Sequence, residues 1–285
     1  MKKLLFISVI VITAFVSNAQ DAAEKINSAN EALQGKDYAK AFELYDDAMN
    51  NIGDVQVDSS INYNVGFAAY KADKFEAAIK YFNLAIEVDA NIAKSYEYIA
   101  NAYNKLKDYP SAVDSYSKAV AASSDGDTEA LVYNAAIAAY RGSLYDKAVE
   151  FFSQSVENGY KGETALFYKA AVLNKQNKDD EYKATLEEGA VKFPGDDKIC
   201  PALAKIYVSE GNEIYLKGVE ILNAANQKVN DGSLSTEDAG YAAEVEKAKA
   251  EFKTAAGILE KAVQLDASNA NASVLLEACK TNLNI

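Results

Sequence analysis

The chain has no histidine and no tryptophan, and Arg141 is the sole arginine among its 29 basic residues. Without an imidazole there can be no Ser-His-Asp or Cys-His triad and no H-E-x-x-H zinc helix. Cysteine is nearly as scarce, since Cys200 and Cys279 are too few for a disulfide framework or a structural zinc site. Neither G-x-x-x-x-G-K-[ST] nor G-x-G-x-x-G occurs, which removes the common phosphate-binding loops. Positive charge is also short. Acidic residues number 42, the net charge is -13, and such a field repels phosphate backbones and anionic lipid headgroups. Nucleic acid is therefore not expected as a partner, no metal or cofactor is expected, and an enzyme is not expected because most acid-base and nucleophilic schemes lack their residues.

What remains is apolar and helix-friendly. Hydrophobic residues make up 49% of the 285, and only three prolines interrupt them, a balance that fits a folded, largely helical protein. At the start, Met1-Lys2-Lys3 is followed by an apolar run from Leu4 to Val16 and by the small residues Ser17-Asn18-Ala19. That order is a secretory leader with cleavage expected after Ala19, and the run is shorter than the roughly 20 residues of a bilayer span. No cysteine lies near the cleavage point, so lipidation is not expected. Loss of Lys2 and Lys3 would leave 27 basic against 42 acidic residues, or -15. The leader resembles those of Gram-negative exported proteins, which predicts a periplasmic or secreted location where disulfides are permitted. No later segment is apolar enough to cross a membrane.

The dominant feature is self-similarity. Four segments place an aromatic, then alanine three later, then an aromatic four further on, then a small residue three beyond. They are Tyr38, Ala41, Tyr45, Ala48; Phe75, Ala78, Phe82, Ala85; Tyr109, Ala112, Tyr116, Ala119; and Tyr145, Ala148, Phe152, Ser155, at intervals of 37, 34 and 36 residues. A weaker fifth copy keeps Leu186 and Gly189 before Phe193-Pro194. Offsets of three, seven and ten residues put each set on one helical face, which must then be buried. Each such helix follows another with a small residue at its centre, Ala29, Gly66, Ala100, Ala136 or Ala170. Short polar turns such as Gly35-Lys36-Asp37 and Lys107-Asp108 join the pairs. A hairpin of this kind hides its apolar face only against the next one.

These residues make the chain resemble a tetratricopeptide repeat protein over about residues 22 to 194. The resemblance implies an all-α, right-handed superhelical solenoid of antiparallel helix pairs. We read residues 1–19 as the leader, 20–196 as an array of about five repeats, and 197–285 as an enlarged last repeat with a capping helix. Residues 199 to 229 fit either a hairpin with a lengthened turn near Gly211 or one helix of about 30 residues, and we favour the single helix. Phe252, Ala255, Leu259 and Ala262 repeat the signature. The closing helix offers Val274, Leu275 and Ala278 as apolar positions.

The resemblance further implies a concave groove lined by the first helix of each repeat. Carried onto this chain, that surface begins with Ile26, Asn30 and Leu33 and continues with Tyr63, Asn64, Phe67, Tyr70 and Lys71. It then presents Lys94, Asn101, Asn104 and Lys105; next Tyr133, Asn134, Ile137, Tyr140 and Arg141; and finally Phe167, Asn174 and Lys175. The lining is aromatic and amide-rich with mostly positive charge, which suits recognition of a peptide or helix of a partner protein. Some of its tyrosines, Tyr70 and Tyr140 especially, also fit packing between hairpins. The expected function is thus a non-catalytic protein-interaction scaffold or adaptor of the cell envelope, with a structural or self-assembling component as the alternative. Some relatives clamp a C-terminal carboxylate, but the matching positions are Ile26, Asn30, Asn64, Lys94 and Tyr98, and two of the cations are missing. The acids from Asp125 to Glu129 begin like a calcium loop but lack its glycine and closing glutamate, where Ala130 and Ala136 stand. If the long helix holds, Cys200 and Cys279 are offset by roughly 13 Å along the axes, too far for a disulfide.

Overall fold

The computed structural model describes residues 20–51, 58, 60–124, 126 and 128–284. The leader at 1–19 lies outside them, as do Asp125 and Asp127 of the calcium comparison. Among the described residues the regular structure is helical, with no strand. Packing divides the chain into two compact units, one ending at Tyr160 and the other starting at Lys161. This division reflects contact density, whereas the repeat boundaries reflect sequence pattern.

The first unit holds α1 (20–34), α2 (Tyr38–Asn50), α3 (Ile61–Lys71), α4 (Phe75–Glu87), α5 (Ile92–Leu106), α6 (Tyr109–Ala122), α7 (Glu129–Arg141) and α8 (Tyr145–Glu157). From α2 onward each helix packs on the next in sequence, and α3 also touches α5, so these two first helices lie side by side. The last three members of each signature set are sealed from solvent: Ala41, Tyr45 and Ala48; Ala78, Phe82 and Ala85; Ala112, Tyr116 and Ala119; Ala148, Phe152 and Ser155. The leading aromatics Tyr38, Phe75, Tyr109 and Tyr145 are only half-buried, contrary to the expectation of four buried positions. They start their helices and cover the turns instead. Tyr70 meets the Phe75 ring at 5.9 Å, and a Cβ added to Gly142 would lie 2.6 Å from Cβ of Tyr109.

The hairpin turns share one backbone device. Lys36, Asp73, Lys107 and Ser143 each take a left-handed φ of 56° to 62°. The next amide then donates back across the helix end, as Asp108 N–H does to Tyr103 C=O at 2.9 Å and Leu144 N–H to Ala139 C=O at 2.9 Å. These bonds satisfy carbonyls that a helix terminus leaves open.

The second unit holds α9 (Gly162–Lys175), α10 (Asp179–Lys192), α11 (Ile199–Asn230), α12 (Ala239–Leu265) and α13 (Ala270–Leu283). Its 32-residue α11 is one continuous helix, roughly 48 Å long at 1.5 Å per residue. Gly211 is therefore no turn. A Cβ there would sit 2.7 Å from Cγ of Leu259, and one at Gly218 would sit 2.7 Å from Cε1 of Phe252. The two glycines let α12 lie close against α11, and α12 buries Phe252, Ala255, Leu259 and Ala262 as its repeated signature requires. In α13 the buried stripe is Ala272, Leu276 and Cys279. Val274 is 68% exposed and Leu275 and Ala278 are half-buried, so the capping helix is rotated from the expected face. Both cysteines are buried and free.

Candidate binding face

In the first unit the first helices of the pairs are α1, α3, α5 and α7, and they carry the residues expected to line a groove. The centre of this face is Tyr98 on α5. Its ring stacks on Phe82 at 5.2 Å with planes 6° apart, and it meets Phe67 at 5.4 Å, Tyr70 at 5.2 Å and Tyr63 at 6.4 Å. Tyr38 adds an edge contact to Phe67 at 6.0 Å. Lys71 lies over the Phe67 ring at 5.4 Å, so its ammonium caps an aromatic patch. Phe82 is fully buried while Tyr63, Phe67, Tyr70 and Tyr98 are half-buried. The patch thus has a rigid floor and a partly wet rim.

The asparagines divide into two groups. Tyr45 donates its hydroxyl hydrogen bond to Oδ1 of Asn30, and Tyr116 donates to Oδ1 of Asn101 at 2.7 Å while accepting from Nδ2 of Asn104 at 3.1 Å. Those three amides satisfy buried hydroxyls, which is a core task. Asn64 and Asn134 are half-buried on the same face, with Ile137 and Tyr140 similarly placed and Lys105 and Arg141 exposed. Tyr133 is displaced from the expected role. It is only 8% exposed, with its ring against Phe152 at 6.2 Å and Tyr160 at 5.9 Å, so it belongs to the packing between hairpins.

The electrostatics also differ from a uniformly cationic lining. Exposed Lys94 pairs with Glu97 at 2.7 Å. Glu97 raises the proton affinity of Tyr63, Tyr70, Tyr98 and Tyr116, in each case behind the larger effect of desolvation. Burial pushes Tyr63 and Tyr116 up to about 12, and Arg141 acts in the opposite sense on Tyr116. These hydroxyls stay neutral over the physiological range, as donors and acceptors with no general-base character. Sequence reasoning passed over Glu97 and met Tyr98 only as a clamp position without its cation, not as the centre of an aromatic patch. The visible signal was aromatic excess on α5, where Tyr96, Tyr98 and Tyr103 fall within one helix.

The remaining expected residues lie in the second unit. Phe167, Asn174 and Lys175 of α9 border a hollow of about 560 Å³ with Tyr182, Lys205 and Ile206. No cluster of three metal-ligating residues occurs among the described residues, and no described helix is long and apolar enough to cross a membrane.

No family model matches the chain, and no curated protein matches it. Solved structures do. The chain is similar to a TPR repeats protein from Bacteroides fragilis, at 21% identity over 92% of this chain and 98% of that one, with a TM-score of 0.38. It is also similar to a tetratricopeptide repeat protein from Parabacteroides merdae, at 17% identity over 92% and 99% with a TM-score of 0.46. A third match is the C-terminal part of a TPR repeat-containing protein from Cytophaga hutchinsonii, at 16% identity over 96% and 97% with a TM-score of 0.47.

Proposed function

We propose that this chain is a non-catalytic protein-interaction scaffold whose first-helix face takes up a peptide or helix of a partner protein. The observation that carries the reading is the aromatic patch on α3 and α5. Tyr63, Phe67, Tyr70 and Tyr98 present half-exposed rings over the sealed Phe82, and the residues that hold the fold lie beneath them. Rigid rings with a polar tip supply large contact area at small entropic cost, which is why such residues dominate interface energetics. Exposed Lys71, Lys105 and Arg141 border the same face and would steer a partner toward it. The leader read at residues 1–19 supports action outside the cytoplasm, in the periplasm or beyond the cell.

Cross-linking in the native envelope, followed by capture of the full chain, identifies the partner. The test compares wild type with the double variant Phe67→Ala and Tyr140→Ala, chosen because both side chains are half-buried whereas Tyr133 is core. Loss of the captured protein, with circular dichroism unchanged, is expected. An identical capture pattern from a folded double variant would remove this face from the account.

A further inference from the structure

The second unit has a hollow that the aromatic face does not explain. Beside the one bordered by Phe167, Asn174 and Lys175 lies another of about 670 Å³, lined by Val208, Asn212, Asn269, Asn271, Val274 and Leu275 among others. Lys205 and Ser209 of α11 belong to both, so the two form one trough crossing α11 from α9 to α13. No aspartate or glutamate lines either part, on a chain with 42 acidic residues.

The charge at its centre lacks the same-helix carboxylate partner that several lysines of this unit have. Lys192, Lys217, Lys247 and Lys280 are each paired with a glutamate three or four residues away on the same helix. Exposed Lys205 has Pro201, Ala202, Val208 and Ser209 at those spacings, and it makes no ion pair among the described residues. The amides flanking it are also uncommitted. Asn174, Asn212 and Asn271 make no side-chain hydrogen bond among the described residues, unlike Asn30 and Asn101 of the first unit. Val274, 68% exposed on the rotated capping helix, supplies an apolar wall with Leu275 and Val208.

We propose that this trough binds an extended segment of a partner protein in which acidic side chains alternate with apolar ones. The carboxylates pair with Lys205, the amides of Asn174, Asn212 and Asn271 meet the segment's backbone, and its apolar residues pack on Val208, Val274 and Leu275. The proposal rests on the scaffold reading but on residues separate from the Tyr98 patch. An acidic partner is favoured because an unpaired ammonium in an acid-free lining attracts a carboxylate, and the cationic alternative finds no counter-charge there.

The test uses the full chain and short fluorescent peptides in which leucine alternates with aspartate, asparagine or lysine. Fluorescence anisotropy is expected to show the aspartate peptide binding about tenfold more tightly than the asparagine one, with the difference shrinking as salt rises. Lys205→Glu is expected to abolish the preference, and Lys205→Met to reduce it, while Phe67→Ala leaves it intact. No binding of the aspartate peptide to wild type, equal binding of aspartate and asparagine peptides, or full affinity in a folded Lys205→Glu protein would each overturn the proposal. Gel filtration adds one more overturning result, a wild-type dimer dissolved by Lys205→Glu, because the occupant would then be a second copy of this chain. If peptide binding fails while Phe67→Ala and Tyr140→Ala still remove the captured partner, the trough falls and the scaffold reading stands.

Discussion

Glycine-to-alanine changes at three helical positions should move stability in opposite directions. In an open helical position the exchange gains about 1 kcal/mol, because alanine loses less backbone entropy on folding. Gly257 of α12 is such a position, with nothing within 4 Å of an added Cβ. At Gly218 the new methyl would meet three atoms of the sealed Phe252 ring at 2.7 to 3.1 Å, and at Gly211 it would meet the Leu259 branch point at 2.7 Å. Neither neighbour can swing away, since both are fully buried. Overpacking of this kind costs about 1–3 kcal/mol per site. Taking about 2 at each and subtracting the helical gain, the double variant Gly211→Ala and Gly218→Ala loses about 2 kcal/mol. Thermal unfolding followed by circular dichroism should then fall by about 4–8 °C, while Gly257→Ala should rise by about 2–4 °C. A double variant as stable as Gly257→Ala would refute the close approach of α12 to α11, and with it the reason that α11 runs unbroken through Gly211.

Tyr116→Phe should destabilise by about 1 kcal/mol, because it strands the amides of Asn101 and Asn104. Adding Asn101→Ile should restore most of that loss in urea denaturation, since Phe152 is buried in a repeat that carries Ile137 at the same spacing. Tyr63, Tyr116 and Tyr207 are raised to about 12, so the folded chain holds their protons where the unfolded chain, with an ordinary value of 10, releases them. Stability should therefore be flat below pH 10 and fall from there to about pH 12, with the ring resonances of these three tyrosines shifting late in an NMR titration; their ionisation at pH 10 in the folded protein would contradict the burial. Ser143→Gly should stabilise by about 0.5–1 kcal/mol, because its φ of 56° is a left-handed conformation that glycine adopts without steric cost. A lower melting temperature for that variant would refute the turn geometry.

The repeating skeleton was readable because burial of small and aromatic residues at fixed helical offsets is a local property. By repeat position Asn30 and Asn101 read as groove residues, whereas they accept from Tyr45 and Tyr116, a pairing whose spacing signal went unused. Each tyrosine follows its asparagine by 15 residues, and where phenylalanine replaces it at Phe82 and Phe152, Phe67 and Ile137 take the amide's place. The role of Tyr98 was hidden, because its stack on Phe82 joins successive hairpins and depends on how α5 sits against α3 and α4. Tyr133 misled for a related reason: its spacing is that of a lining residue, and only the rings of Phe152 and Tyr160 show it to be enclosed. The closing helix has small or apolar residues on more than one face, so periodicity alone did not separate Leu276 and Cys279 from Val274 and Leu275.

A photo-reactive amino acid placed singly at Lys71 and Lys105 on the first helices, and at exposed Lys80 and Lys147 on the second helices, would map partner contact in living cells. Adducts to one partner protein from Lys71 and Lys105, with none from Lys80 and Lys147, are the predicted outcome. Adducts confined to Lys80 and Lys147 would place the partner on the opposite helices and contradict the account.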